Sequence, residues 1–181
     1  MTTMKIIENV QKFLEDNVCN TIRLKCPYDN DTERFELINP VVYPVYMPLK
    51  RQLPPGIKSA IPCLVVGFDE AEDDGQETGV KIRILAGVYD PGTHVSDGDE
   101  VMCVPDTNGW CDLINLLDRT RAEICKSRLL NNTGIQYPVK WGVYQQDEQM
   151  FPDLNPYYFG WMSFSVSAPS YPASEIAKKY L

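Results

Sequence analysis

The stretch from Gly109 to Leu130, GWCDLINLLDRTRAEICKSRLL, keeps a helical period longer than any other segment of the chain, and apolar runs of strand character stand on either side of it. A helix of this kind buries one stripe only, so the flanking runs must supply a sheet to receive it. At about 100° per residue, Trp110, Leu113, Ile114, Leu117, Ile124 and Cys125 share one face, which predicts a helix lying on a sheet. Asn108 or Asp106 is placed to cap its start, and Asn131-Asn132-Thr133-Gly134 to stop it. Arg121 and Arg128 border the apolar face. Either their stems run along its edge to water, or Arg121 makes an ion pair across a subunit boundary, because a buried guanidinium needs a carboxylate.

Met4 to Val18 places Ile6, Ile7, Val10, Phe13, Leu14 and Val18 on one arc and mixed charges opposite, predicting a first helix that covers a sheet. Asn20 to Thr32 reads as mixed and polar. Phe35 to Met47 then turns β-branched and aromatic, a strand or two, but Pro40 and Pro44 remove ladder donors, so an edge strand, or one that bends and leaves the sheet, is expected there. A basic arm follows at about 48–60, with Lys50, Arg51 and Lys58 and no acid from Leu37 to Phe68. Pro54-Pro55-Gly56 keeps it extended. Read plainly it is a solvated loop; read functionally it reaches a partner.

Ile61 to Phe68 and Gly79 to Tyr89 carry the clearest strand signals, the second with Val80, Ile82, Ile84, Ala86 and Val88 in alternation. Between them lies an acidic loop at about 69–78, with Asp69, Glu70, Glu72, Asp73, Asp74 and Glu77. Glu70-x-Glu72-x-Asp74-Gly75 imitates half of a calcium loop, but Lys81 stands where the bidentate acid is required, so a solvated, self-repelling loop is the expectation. A second acidic loop spans about 90–108. Tyr137 to Gln145 and Tyr157 to Ser167 read as further strands, with Trp161, Phe164 and Val166 as core mass, and Ala173 to Leu181 as a short last helix.

The order α-β-β-β-α-β-β-α predicts one α+β domain over 1–181, a mainly antiparallel mixed β-sheet packed by helices. A formal net charge of −8 argues against a general nucleic-acid binder. No apolar run nears the roughly 20 residues that span a bilayer, and the first residues form no signal segment, so neither a membrane contact nor export is expected. The six cysteines contain no C-x-x-C pair, and several lie in apolar runs, where buried thiols are expected rather than bridges. His94, the only histidine, lies in an acidic loop without a nucleophile motif, and the glycines form no phosphate loop. No catalytic residue, metal or cofactor is expected on these grounds.

GWCDLINLLDRTRAEI resembles a segment of small tail proteins of long-tailed phages and prophages: glycine, an aromatic, Asp, then an apolar helix ending in basic residues. PYYFGWMSFSV, Pro156 to Val166, resembles the Pro-Tyr-Tyr-Phe-Gly strand downstream of that helix in the same proteins. The element order agrees with the tail terminator, or tail completion, group. The cysteines in the helix and the long acidic loop at about 90–108 depart from it. The resemblance implies a non-enzymatic virion protein, made in the host bacterial cytoplasm, that forms a homo-oligomeric ring, typically a hexamer. Such a ring caps the tail tube and faces the head connector, and DNA passes through it without specific binding. A ring needs two unlike patches that meet. The arm (Lys50, Arg51, Lys58) and the acids from Asp69 to Glu77 are candidates, with Arg121 as a third element. Two alternatives stand beside this one: a metal-dependent hydrolase using the acidic loops, and a monomeric protein-binding module using the edge from Phe35 to Met47.

Overall fold

In the computed structural model, which describes residues 2–28, 31–97, 100–104, 107–130, 133–144 and 155–169, the alternating apolar segment becomes an interior strand of a six-stranded sheet. The elements in chain order are α1 (Thr3–Asn17), β1 (Leu24–Tyr28), β2 (Asp31–Ile38), β3 (Val41–Pro44), β4 (Cys63–Asp73), β5 (Glu77–Tyr89), β6 (Thr93–Asp97), β7 (Glu100–Val104), α2 (Asn108–Ser127), β8 (Leu129–Leu130), β9 (Thr133–Val143) and β10 (Tyr157–Pro169). The main sheet runs β3-β4-β5-β10-β9-β8, with β3 and β4 parallel and the other neighbours antiparallel. β1 with β2, and β6 with β7, form separate antiparallel hairpins. The expected α+β class, a mixed sheet packed by helices, is what the backbone adopts.

Strand alternation decides which face each side chain serves. On β5, Val80, Ile82, Ile84, Ala86 and Val88 are buried, and on β10 so are Tyr158, Met162, Phe164 and Val166. This face receives both helices, α1 over β3 and β4 and α2 over β10, β5 and β9. Trp161 has the other parity. It lies on the opposite face over Gly142, not in the expected core with Phe164.

α1 begins where Thr2 accepts the Lys5 N–H at 3.3 Å, and it buries Ile6, Ile7, Val10, Phe13 and Leu14 as the period predicts. α2 is rotated from its expected face. Leu113, Leu116, Leu117, Thr120 and Ile124 are buried, while Ile114 is 48% exposed and Cys125 half-buried. Thr120 carries no hydrophobic signal, yet its hydroxyl donates to the Leu116 carbonyl at 2.8 Å and so enters the core satisfied. The ends of α2 also differ from expectation: Thr107 occupies the N-cap position without a side-chain cap, and the chain leaves the helix at Arg128, in the left-handed region with φ 53°.

Two stretches expected to be loops, and one that reads only as mixed and polar, are strands. Asp69 to Asp73 continues β4: Asp69 sits at a register shift, Glu70 to Asp73 each find a partner across β5, and only a tight turn separates the two strands. The region at about 90–108 holds the β6–β7 hairpin, and Leu24 to Tyr28 in the polar-looking segment forms β1, whose Leu24 and Cys26 face inward. Pro44 ends β3 at the sheet edge, as its missing N–H requires. The expected last helix at 173–181 and the connection at 145–154 lie outside the described residues.

Among the described residues, the second face is covered at one end only. Residues 45–62 link the parallel strands β3 and β4 and lie over Tyr43, Cys63, Val65 and Tyr89, adding Met47, Leu53, Ala60 and Ile61 to a smaller core. Beyond this strap, Lys81 and Arg83 on β5 stand in water.

Candidate functional site

The two motif stretches pack directly on each other. Gly109 at the start of α2 sits on the Tyr158 ring so closely that a Cβ there would stand 2.2 Å from Cε2. Trp110 meets the same ring edge-on at 5.0 Å. Gly160 lies beneath Leu117 and Leu113; its own Cβ would fall 2.8 Å from Leu117 Cδ1 and 3.0 Å from the Gly142 carbonyl oxygen. Gly109, Trp110, Tyr158 and Gly160 therefore form one seam where helix and strand approach as closely as backbone permits. No reactive group belongs to it.

The charged candidates are largely engaged within the chain. Asp69 accepts from Arg83 Nη2 at 2.8 Å and Nε at 3.1 Å, both on Oδ2, and this bond holds the Arg83 guanidinium above its ordinary pKa. Glu70 pairs with Lys81 at 3.1 Å. Asp73 and Asp74 fasten the turn: Asp73 accepts the Gly75 N–H, and Asp74 accepts those of Gln76 and Glu77. The N–H of Glu77, and then that of Gln76, keep the Asp74 carboxyl below the usual range. Glu72 and Glu77 have no ion-pair partner among the described residues. In the arm, Lys58 bonds Glu36 at 2.8 and 3.1 Å, which raises its pKa, and its ammonium lies 5.6 Å from the Tyr28 ring centroid. Lys50 and Arg51 stand exposed on a short 3-10 turn. The arm and the acidic hairpin are not far-separated patches. Met47, at the root of the arm, shares a groove with Asp69, at the root of the hairpin.

Arg121 does not cross the core. Its guanidinium carbon lies 4.7 Å from the Trp141 ring centroid, stacked on β9, and Asp118 Oδ1 is 3.6 Å from Nε, which has no hydrogen-bond partner among the described residues. Two turns of helix are tied to β9 in this way, since Tyr137 donates its hydroxyl to the Cys125 carbonyl at 3.3 Å. Tyr137, Trp141 and Ile114 are all substantially exposed.

Exposed apolar side chains gather at the opposite edge too. After Pro44 the chain turns sharply: Val45 has φ 68° and Tyr46 N–H bonds the Pro44 carbonyl at 2.8 Å, a strained γ-turn for a β-branched residue. The turn lifts Val45 and Tyr46 into solvent beside Phe68. Together with Met47, Leu85 and Asp69 they line a groove of about 280 Å³. A second cleft of about 380 Å³ on the other side of the arm is lined by Met47, Leu49, Ile61, Tyr28, Tyr157 and Lys58. Sequence reading missed both, because nothing local marks a positive φ at a valine.

Polar groups are also buried. Lys25 pairs with Asp90, a residue only 2% exposed that also accepts the Gly92 N–H at 2.8 Å, and Asp112 lies 3.8 Å from the same ammonium. This ties β1 to the end of β5. Cys19, Cys26 and Cys63 are buried, whereas Cys111 is exposed and Cys125 half-buried, and burial raises the Cys19 and Cys63 thiols to about 12. Among the described residues no group of three or more His, Cys, Asp or Glu is arranged to hold a metal ion. The sequence matches no family model and no curated protein.

Proposed function

We propose that this chain is a structural virion protein of a phage or prophage tail: a tail terminator or completion subunit that closes into a ring, a hexamer by the resemblance. In this reading the ring caps the tail tube and faces the head connector, and the chain performs no catalysis. One observation carries the reading. The two stretches that resemble tail proteins, Gly109 to Ile124 and Pro156 to Val166, form a single helix-on-strand seam through Gly109, Trp110, Tyr158 and Gly160. A motif explained by close packing supports a building block rather than an enzyme.

The net charge of −8 suits a ring through which DNA passes, since like charge discourages phosphate from sticking. Lys50 and Arg51 on one subunit and Glu72 and Glu77 on the next border the contact in this reading, where salt weakens them. Light scattering across concentration, at low and high salt, tests it. A closed oligomer near six subunits, whose salt dependence changes when Lys50 and Arg51 are reversed to Glu, is the expected result. A strict monomer at millimolar concentration in both salts refutes self-assembly.

A further inference from the structure

We infer that neighbouring copies of this chain join edge to edge, with Trp141 and Arg121 of one copy seated in the groove beside Tyr46 and Asp69 of the next. The inference rests on the ring reading and specifies its contact.

The two patches lie at opposite ends of one sheet. The groove belongs to the β3 edge, and Trp141 belongs to β9, whose pairing with β8 stops at Gly134. Three strand spacings of about 4.8 Å separate the strand of Asp69 from β9 and four separate β3 from it, roughly 14 and 19 Å, so Arg121 and Trp141 do not reach this groove within one chain. Two unlike patches on opposite sides of a subunit are what a head-to-tail contact uses.

Their chemistry is complementary. Trp141, Tyr137 and Arg121 are the side-chain types that dominate contact energetics; here the two aromatic rings stand exposed, and the half-buried guanidinium is already stacked on the indole. The stacking fixes Arg121 before any partner arrives. On the groove side, Val45, Tyr46 and Phe68 offer exposed apolar surface around Asp69. Both bonds from Arg83 fall on Asp69 Oδ2, leaving Oδ1 without a hydrogen bond among the described residues. An entering Arg121 therefore finds an acceptor at the wall of the pocket that takes the indole. Pro138 removes one N–H from β9, so side chains rather than a continued ladder carry the contact.

Tyr46→Glu and Trp141→Glu, each blocking one patch, test it by sedimentation velocity. Each variant alone is expected to lose the wild-type oligomer and run as a monomer. Mixed in equal amounts, they are expected to form a dimer and nothing larger, because each supplies the patch that the other lacks. Circular dichroism checks folding, and Phe68→Ser and Arg121→Glu replace either variant that fails to fold. A wild-type oligomer that survives both substitutions, or that is lost by one only, overturns this contact and leaves the ring reading standing. A wild-type chain that stays monomeric at millimolar concentration overturns the ring reading and this contact with it.

Discussion

On one face of the six-stranded sheet, α1 and α2 exclude water from Ile82, Ile84, Met162 and Phe164; on the other, a proline-rich strap covers Tyr43, Cys63 and Tyr89 and leaves Lys81 and Arg83 wet. The contrast separates two kinds of residue. Those that make the fold sit under the helices, where each fully buried aliphatic contributes about 1.5–3 kcal/mol. Those that present the molecule sit on the strap face and at the sheet edges, where charges find partners in the same chain at little net gain. Damage on the first face should unfold the protein, and damage on the second should change what it binds.

The helix face can be broken hardest at its packing. Leu117→Ala removes a side chain 2% exposed against Gly160 and should cost about 2–5 kcal/mol in denaturant unfolding. Where β1 crosses the end of β5, Lys25→Met strands the buried Asp90 carboxylate and should cost about 3 kcal/mol, partly restored by adding Asp90→Asn. Gly109→Ala pits two effects against each other: alanine favours a helix by about 1 kcal/mol, but its Cβ would stand 2.2 Å from the Tyr158 ring. The clash involves a large ring in a packed core, so a net loss of about 1–3 kcal/mol is expected, and a rise in melting temperature would sink the seam.

The strap face should respond weakly. Arg83→Ala breaks an exposed pair with Asp69 and should cost under about 1 kcal/mol, less in high salt. The smallest effect concerns the hairpin turn. Because the folded-state pKa of Asp74 is depressed, its contribution is present above the ordinary aspartate range near about 3.9 and is lost as pH falls through the folded value. Amide exchange at Gln76 and Glu77 should accelerate selectively in acid. Unchanged protection there would detach the turn from Asp74.

The helix face was readable because its signals were periodic. β5 alternates from Val80 to Ala86, and α1 holds five buried apolar residues on one arc. The period of α2 points to a face turned away from the buried one, because Thr120 hides the true stripe and Ile114 imitates it; only the hydroxyl's bond to Leu116 reveals why a threonine belongs inside. β1 has two inward residues, Leu24 and Cys26, too few to set a period. The acidic residues from Asp69 to Asp73 looked like a loop because like charges repel along a sequence, whereas across the strands they meet Lys81 and Arg83. Of the candidate contact residues, composition named the charged ones. The groove at Tyr46 was invisible, since it depends on a positive φ at Val45 and on a connection folding back over a distant strand.

The parallel pairing of β3 with β4 has a consequence for how such a surface can diversify. Strands side by side and running the same way cannot be joined by a tight turn, so residues 45–62 must travel back along the sheet before β4 begins. Their two ends are anchored in adjacent strands, and the cost of closing a flexible loop rises by only about 0.6 kcal/mol for each doubling of its length. The strap is thus a hoop with fixed posts: its exposed residues, Lys50 and Arg51 among them, can be lengthened, shortened or exchanged while the posts stay in register. A building block with that layout can meet new neighbours without refolding its core.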